Sequence, residues 1–551
     1  MKPRANILKF LVTVVGGLII LSGCGSQSDP VYKAESAIQG STEPTSVTNT
    51  AGSPKEMNVG DIYMVTFSGT DEDKVSVDFT DVDKSAEFVL AVSSLDGASS
   101  SRTVQMSSDE SVEMDLATED DNWREMSASD ALDQQLRGIE SELSMDPNMT
   151  IATPVSNGIS AMKAMMANSQ ATADSSASFR VLSGLSSLSS YTTVRADVKC
   201  VGSNVVFYVD SEVKNTNPSD LTDSDVSSIC SNFDSIIPRE YKLFGTPSDV
   251  NNDGKVTVLM TPQVNRLGAM GGGIITGFFF ANDLTATSNS NQREIIYILV
   301  PDTNGHYGMK IPKSFAMDNL IPGVLPHELQ HAINYNQKVL VAKSQAESNW
   351  LNEGLSHLSE DILGYGQENP SREEVYLQNP SYYGIVSTGS PGLAERGGIY
   401  LFMRYLYEQS ADGDKFLWDL LHSKYTGVEN LEKSFAGTSA DFDQLTEFLL
   451  RWNATIVMSS FNLSTDPRFT YKSRVMNGTT GNWEGVCLSC DTEDGRGTEL
   501  VGVSLAKYFT WLQISLDPTA TQFYKVDNFP NRMSFKSKTA GTYSASLIRY
   551  K

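Results

Sequence analysis

Basic residues are scarce in this chain. Lysine and arginine together number 42 against 67 aspartates and glutamates, which gives a formal net charge of -25 at pH 7. The sequence contains no cluster of lysine or arginine that offsets this charge locally. Because a surface of this sign repels polyanions, the composition predicts no nucleic-acid partner.

Cysteine is also scarce, with 5 in 551 residues. Four of them lie beyond the N-terminal region, and in an exported chain an even number is most simply two disulfides. We expect Cys200 to pair with Cys230 and Cys487 to pair with Cys490. The alternatives for the second, closely spaced pair are a redox pair or half of a zinc site. No second CxxC or nearby histidine completes such a zinc site, which favours the disulfide.

The first residues have the pattern of an export signal, in which basic residues accompany an apolar run over residues 7–21. The letters LSGC that follow resemble a bacterial lipobox, in which Cys24 is acylated and becomes the mature N-terminus. We therefore expect a signal peptide over residues 1–23 and a lipid anchor in the bacterial cell envelope, at the outer membrane or the cell surface. The alternative is a membrane-spanning helix, because the apolar run is near the lower length limit for a span.

Beyond the signal, the chain is too long for one hydrophobic core, so its length predicts several domains. Strand patterns such as VVFYVD and KVTVLM precede helical patterns such as DKFLWDLLHSKY in the middle of the chain, which favours an α+β domain. Strand patterning on either side predicts two further, smaller β-domains. The predicted segments are a flexible tether (24–55), a small β-domain (56–117), an acidic and Ser/Ala-rich, partly helical linker (118–190), the α+β domain (191–465) and a C-terminal β-domain (466–551).

The letters HELQH at 327–331 are the most informative motif in the sequence. In a helix, His327 and His331 lie about one turn apart on the same face, close enough to bind one zinc ion. Glu328 can then act as general base on a water that the metal activates. The alternative is a solvated helix that carries the pattern by chance, and the leucine and isoleucine residues on its opposite face count against that alternative.

A second helical pattern follows at 348–362, with the letters SNWLNEGLSHLSEDI. Its leucine and isoleucine residues fall on one face, and Glu353, His357 and Glu360 fall on the opposite face. One face can pack in the core while the other faces a metal. Because a catalytic zinc normally has a third protein ligand as well as a water, we expect that ligand on this helix. An ordinary amphipathic surface helix is the alternative.

This arrangement is similar to that of the gluzincins, whose second active-site helix supplies a glutamate ligand from an Asn-Glu dipeptide. More specifically, the chain resembles the hyicolysin family of metallopeptidases in HELQHAINYNQK (327–338) and SNWLNEGLSHLSEDI (348–362). Weaker support comes from FGTPSDVNNDGKVTVLMT (244–261) and ERGGIYLFMRYL (395–406). The similar segments lie within the predicted α+β domain.

The resemblance implies a zinc endopeptidase that hydrolyses protein or peptide substrates. It implies His327, His331 and Glu353 as zinc ligands and Glu328 as the catalytic base. The predicted fold class is therefore α+β, with a gluzincin-like metallopeptidase domain flanked by small antiparallel β-domains.

Two features depart from the gluzincin pattern. Pro326 directly precedes the first ligand, and since proline disrupts a helix interior, we expect the active helix to begin there. His357 stands where thermolysin-like enzymes carry an acidic residue that orients a ligand imidazole, which makes His357 and Glu360 the candidates for that supporting role.

A second candidate metal site lies upstream of the HELQH motif. Asp249, Asn251 and Asp253 place oxygen side chains at the first, third and fifth positions of a calcium-type loop, followed by Gly254. Met260 stands where the bidentate glutamate of such a loop belongs. A polar turn without metal is therefore the alternative to a structural calcium ion.

The remaining polar candidates are less specific. Tyr382, Tyr383, Tyr400 and Arg396 are possible donors to the oxyanion of a tetrahedral intermediate. A rival hypothesis for the whole chain is a non-catalytic surface lipoprotein, an adhesin or scaffold with a relic metal site. The intact Glu328 disfavours it, because binding without catalysis does not need that residue.

Overall fold

The structure is a computed structural model, and no helix among its described residues is long and apolar enough to cross a membrane. Cys24 and the predicted signal peptide lie outside the described residues. These residues are 54, 57–68, 75–97, 102–108, 127–153, 175–186, 188–216, 221–387, 389–437, 442–472, 474–490, 502–509, 511–527, 530–537 and 539–551.

Strands occur at both ends of the described chain and in its middle. They are β1 (Ile62–Ser68), β2 (Val75–Asp78), β3 (Phe88–Ser94), β4 (Arg102–Ser107), β5 (Ser176–Leu182), β6 (Tyr191–Val201), β7 (Val205–Asp210), β8 (Val256–Met260), β9 (Gly277–Phe279), β10 (Ile295–Ile298), β11 (Val475–Met476), β12 (Trp483–Glu484), β13 (Ala506–Lys507), β14 (Trp511–Leu516), β15 (Thr521–Val526), β16 (Arg532–Ser537) and β17 (Thr542–Arg549).

Most helices follow the central strands. They are α1 (Ala128–Met145), α2 (Ser211–Thr216), α3 (Asp223–Phe244), α4 (Pro262–Met270), α5 (Ile321–Tyr335), α6 (Asn349–Ile362), α7 (Asn369–Gln378), α8 (Leu393–Gln409), α9 (Gly413–Leu421), α10 (Gly427–Ser434) and α11 (Leu445–Ser460). The central strands precede most of the helices, as the sequence predicts, and the α+β fold class is confirmed.

A six-stranded mixed sheet forms the centre of the molecule, in the order β5-β6-β7-β8-β10-β9. The strands β7, β8 and β10 run parallel, and every residue of all three is buried, as expected for strands covered on both faces. The short strand β9 pairs antiparallel with β10 and forms one edge of the sheet. Helix α5 packs against β9 and β10, so this edge lies beside the HELQH motif.

The strands from the two ends of the chain form a single sandwich, so the prediction of two separate β-domains is corrected. One of its sheets has the order β1-β17-β3-β15-β13 and the other has the order β14-β4-β16-β2. N-terminal and C-terminal strands are therefore direct hydrogen-bonded neighbours. Residues from both sheets share one apolar core, which includes Phe67, Phe88, Phe535 and Tyr543. The short patterned strands could not each bury a face alone, but together they can.

The predicted linker also contains structured elements of the central unit. Strand β5 begins at Ser176 and pairs along its length with β6, so the central sheet starts before the predicted boundary at residue 191. Helix α1 begins with a capping box between Ser127 and Asp130 and buries Leu132 and Leu136 in the main core. The partly helical character was expected, whereas this integration into the core was not.

Both expected disulfides are present in the structure. Cys200 on β6 is bonded to Cys230 on α3, which ties the central sheet to the helix that covers it. Cys487 is bonded to Cys490 within a single loop.

The helix that carries HELQH begins at Ile321, after a π-helical turn over Ala316–Leu320, so the prediction that it begins at Pro326 is corrected. Proline removes only one main-chain hydrogen bond, and nearly every residue of α5 is buried. Tertiary packing therefore stabilises the helix through Pro326.

Candidate metal centre

Two packed helices bring the predicted ligands together. Helix α5 carries His327 and His331 one turn apart, and α6, which packs against it, carries Glu353. The apolar face of α6 packs into the core through its leucines, as the spacing predicted. The opposite face meets α5, so both ligand-bearing faces are buried between the two helices.

Three side chains converge on one point, and the distances between their ligand atoms are those expected around a bound metal ion. The Nε2 atoms of His327 and His331 are 3.2 Å apart. Glu353 Oε2 is 3.5 Å from His327 Nε2, and Glu353 Oε1 is 3.4 Å from His331 Nε2. In a tetrahedral zinc site with ligand distances of about 2.0–2.1 Å, ligand atoms lie about 3.3 Å apart. These three residues form a buried group that could hold a metal ion.

Contacts on the far side of each imidazole direct its Nε2 atom toward this point. His327 Nδ1 donates to Glu360 Oε1 at 2.7 Å. His331 Nδ1 donates to Asn352 Oδ1 at 3.1 Å. In His327 and in His331 the proton is therefore on Nδ1, and the lone pair of Nε2 is available for a metal.

His357 occupies a supporting position. Its Nδ1 lies 2.8 Å from Glu360 Oε1, the same oxygen that binds His327. His327, His357 and Glu360 form a second buried group that could hold a metal. However, separations of 2.7 and 2.8 Å are hydrogen-bond lengths and are shorter than the spacing of ligands around zinc. We therefore interpret Glu360 as the carboxylate that orients His327, with His357 as its second donor.

The charges in the site favour a bound cation. Burial alone would raise the pKa of Glu353, but the imidazoles of His331 and His327 hold that pKa well below its usual range. Burial also opposes ionisation of Glu360, yet His357 and His327 lower its pKa. Neither carboxylate oxygen of the buried Glu353 accepts a well-aligned hydrogen bond, and the contacts they make are ion-pair contacts with the two imidazoles and Arg396. A metal ion would satisfy both oxygens, so the donor set fits zinc.

Glu328 lies on the same helix as the two imidazoles and is fixed by the edge strand of the central sheet. Its Oε2 accepts a hydrogen bond from the main-chain N–H of Phe279, the last residue of β9, at 2.8 Å. Burial raises the pKa of Glu328, against the opposing charges of His327 and Arg137. A carboxylate with a raised pKa is a stronger base than a solvated one.

Arg396 is the predicted oxyanion candidate that lies at this site. Its Nη1 is 3.0 Å from Glu353 Oε2, so it supports the third ligand. Tyr400 is buried, and burial and the nearby Asp361 raise its pKa, whereas Tyr382 is 44% exposed. Tyr383 follows Tyr382 on the same loop. Of these four candidates, Arg396 is the one that an observed contact places at the metal-binding group in the described part of the chain.

Several residues at this site have no role that the sequence patterns predict. Asn352 stands next to Glu353 in the Asn-Glu dipeptide, which was the available signal for its contact with His331. Ser356 donates to Gln330 Oε1 and links α6 to α5. Arg137 and Glu140 on α1 had no local signal at all, because they reach the site only through the tertiary fold.

The calcium prediction remains untested. Asp249 Oδ1 accepts hydrogen bonds from the main-chain N–H groups of Asp253 and Gly254, at 2.9 and 3.2 Å. The side-chain amide of Asn251 donates to Asp253 Oδ2. These oxygens already stabilise a turn between α3 and β8.

Comparison with known proteins adds a relative. The chain is 31% identical over 246 residues to the neutral metalloprotease ShpI of Staphylococcus hyicus, a match that covers 40% of this chain and 51% of the relative. The chain therefore spans about half the length of this curated relative. No family model matches the chain.

Proposed function

We propose that the chain is a zinc-dependent peptidase that hydrolyses internal peptide bonds of proteins. The observation that carries this proposal is the tetrahedral spacing of His327, His331 and Glu353, with separations of 3.2 to 3.5 Å between their ligand atoms. The similarity to a neutral metalloprotease and the resemblance of both active-site helices to hyicolysin-type enzymes support it.

The mechanism follows from the positions of these residues. A bound zinc ion supplies Lewis-acid activation of the attacking water and of the scissile carbonyl. Glu328 accepts a proton from the water while the water oxygen forms a bond to the carbonyl carbon. Glu328 then delivers that proton to the leaving nitrogen as the C–N bond breaks. The Phe279 N–H holds the Glu328 carboxylate in place through both transfers. No covalent enzyme intermediate forms.

Zinc content and casein cleavage, measured on one purified sample, test the proposal. We expect one zinc ion per chain and cleavage that stops on chelation and returns when zinc is added. If the chain binds zinc but neither it nor variants with a displaced helix α1 cleave casein, the result would support the adhesin or scaffold with a relic metal site. A chain that binds neither zinc nor another divalent metal would contradict the proposed site.

We further propose that Cys24 carries a lipid that anchors the chain in a bacterial cell envelope. The lipobox-like letters LSGC support this proposal. Replacing Cys24 by serine should move the protein from the membrane fraction to the soluble fraction, or leave an uncleaved precursor that migrates more slowly. Because a single acyl chain holds a protein at a membrane only marginally, we expect the lipidated residue to carry more than one chain. A variant that fractionates and migrates as the parent does would exclude Cys24 as the anchor.

A further inference from the structure

The proposed catalytic residues are almost inaccessible to solvent in this structure. His327 is 7% exposed and Glu328 is 5% exposed, while Glu353 is fully buried. A peptidase must bring a scissile carbonyl within contact distance of its metal and its base. Some part of the chain therefore covers the site in the described form.

The chain from Ser127 to Ala152, hereafter the α1 segment, runs across this region. Its first part is α1, which packs on α4 and on the turn Ala281–Leu284 that directly follows the edge strand β9. Gln135 donates to the main-chain carbonyl of Leu185 at 2.7 Å. The segment thus extends over the edge of the central sheet at which Glu328 is fixed.

Charged side chains of α1 reach into the metal centre. Asp133 forms an ion pair with Arg396, the residue that contacts Glu353. One turn further, the buried Arg137 and Glu140 bind each other at 2.5 Å. Burial and the nearby charges of Glu353 and Glu328 raise the pKa of Glu140 to about 7. The charge of Arg137 lowers the pKa of Glu328 and of His331.

The end of the α1 segment binds the protein as an extended peptide. Ile151 forms an isolated antiparallel bridge with Thr285, which follows the turn Ala281–Leu284 after β9. The Ala152 N–H donates to Leu284 and the Ala286 N–H donates to Thr150, at 2.9 and 2.8 Å. Main-chain pairing with an extended chain is a general way for proteins to bind peptides, and here this pairing lies outside the sheet itself.

The same part of the segment packs on the surroundings of the catalytic helix. Leu143, Met149 and Ile151 join a buried apolar cluster that contains Phe279 and Tyr335. Phe279 is the residue whose N–H binds Glu328, and Tyr335 is the last residue of α5. The segment supplies no strand of the central sheet and none of the three proposed ligands.

We propose that the α1 segment is an autoinhibitory element that occupies the substrate-binding cleft, so that the described form is a latent peptidase. This inference rests on the proposed function. Displacement of the segment opens the cleft. Only the small fraction of molecules in which the segment is displaced cleaves substrate, and this fraction accounts for the basal activity of the chain. The sheet and the metal ligands stay in place when the segment leaves.

Two variants of the full chain should displace the segment, and each has a matched control. Asp133→Lys replaces the ion pair with Arg396 by a like-charge contact, and Glu142→Lys makes the same charge change at an exposed position of α1. Leu136→Asp places a charge at a buried position, and Gln134→Asp places one on the exposed face. We expect the first member of each pair to cleave casein at least about tenfold faster than the parent, and both controls to match the parent.

Two readouts besides activity follow the segment. A chromogenic zinc chelator should extract the metal faster from Asp133→Lys and Leu136→Asp than from the parent and the controls. A synthetic peptide of residues 127–152 should slow casein cleavage by these variants, whereas the same peptide with Leu136→Asp should not. If Leu136→Asp does not fold, as judged by its thermal unfolding, Asp133→Lys alone decides.

Equal rates of cleavage and of zinc extraction for the folded variants and the parent would overturn autoinhibition while leaving the proposed function intact. Conversely, zinc-loaded proteins that do not cleave casein in any form would contradict the proposed function. In that case the extraction rates still decide: faster extraction from the two variants supports a segment that covers the site, and equal extraction excludes it.

Discussion

The Glu328→Gln variant should bind zinc as the parent does and lose peptidase turnover by a factor of about 10² to 10⁴. Glutamine can still accept the Phe279 N–H through its side-chain oxygen, so the local fold is preserved. It cannot take a proton from water or pass one to the leaving nitrogen. The loss should therefore appear in turnover and leave zinc stoichiometry unchanged. Casein cleavage is measured both in the otherwise unchanged chain and together with Leu136→Asp, because the second background has the larger signal.

Glu240→Gln is the matched control for this change. Glu240 on α3 is fully buried, and burial raises its pKa well above the usual range, which favours the neutral carboxyl. Its Oε1 accepts a hydrogen bond from Ser359 on α6. A glutamine there should leave turnover within about threefold of the parent, since one neutral hydrogen-bonding group replaces another. Glu328→Gln activity within tenfold of the parent would exclude Glu328 as the general base.

The two helices that carry the metal-binding group were predictable because their information is local. Helical spacing alone placed His327 and His331 on one face of α5 and Glu353 with Glu360 on one face of α6. The structure confirms the apolar face of α6 in the core. Spacing does not fix which polar residue on that face meets which partner. The division between Glu353, which faces both Nε2 atoms, and Glu360, which faces His327 Nδ1, depends on how the two helices dock.

The sandwich was not predictable, for the opposite reason. Each strand was recognisable from its alternation, but the pairing of β1 with β17 joins Ile62 to Ile548. No local pattern encodes a partner so distant in the sequence, because pairing depends on complementary faces that form only in the folded chain. The same limit applies to α1. Its composition indicates a helix, whereas the contact between Asp133 and Arg396 depends on the tertiary fold.

The third ligand gives the second large expected effect. Glu353→Ala should weaken zinc binding by more than a hundredfold, because it leaves two imidazoles and solvent around the metal. Loss of a supporting residue such as Glu360 typically costs ten- to a hundredfold. Direct titration of zinc into the apoprotein measures both. Glu353→Gln is a necessary companion, since it keeps an oxygen near Arg396 and removes only the charge.

His357→Ala separates this assignment from a three-histidine site. In the structure His357 Nδ1 is hydrogen-bonded to Glu360, the carboxylate that orients His327. His357 should therefore affect the zinc affinity only through this carboxylate. Its loss should therefore cost no more than Glu360→Ala, and the double variant should cost less than the sum of the two single losses because the residues act in one chain of contacts. Glu353→Ala combined with His357→Ala should instead be close to additive. If His357→Ala abolished binding while Glu353→Ala retained it, zinc would be held by three histidines and the assignment of Glu353 would be wrong.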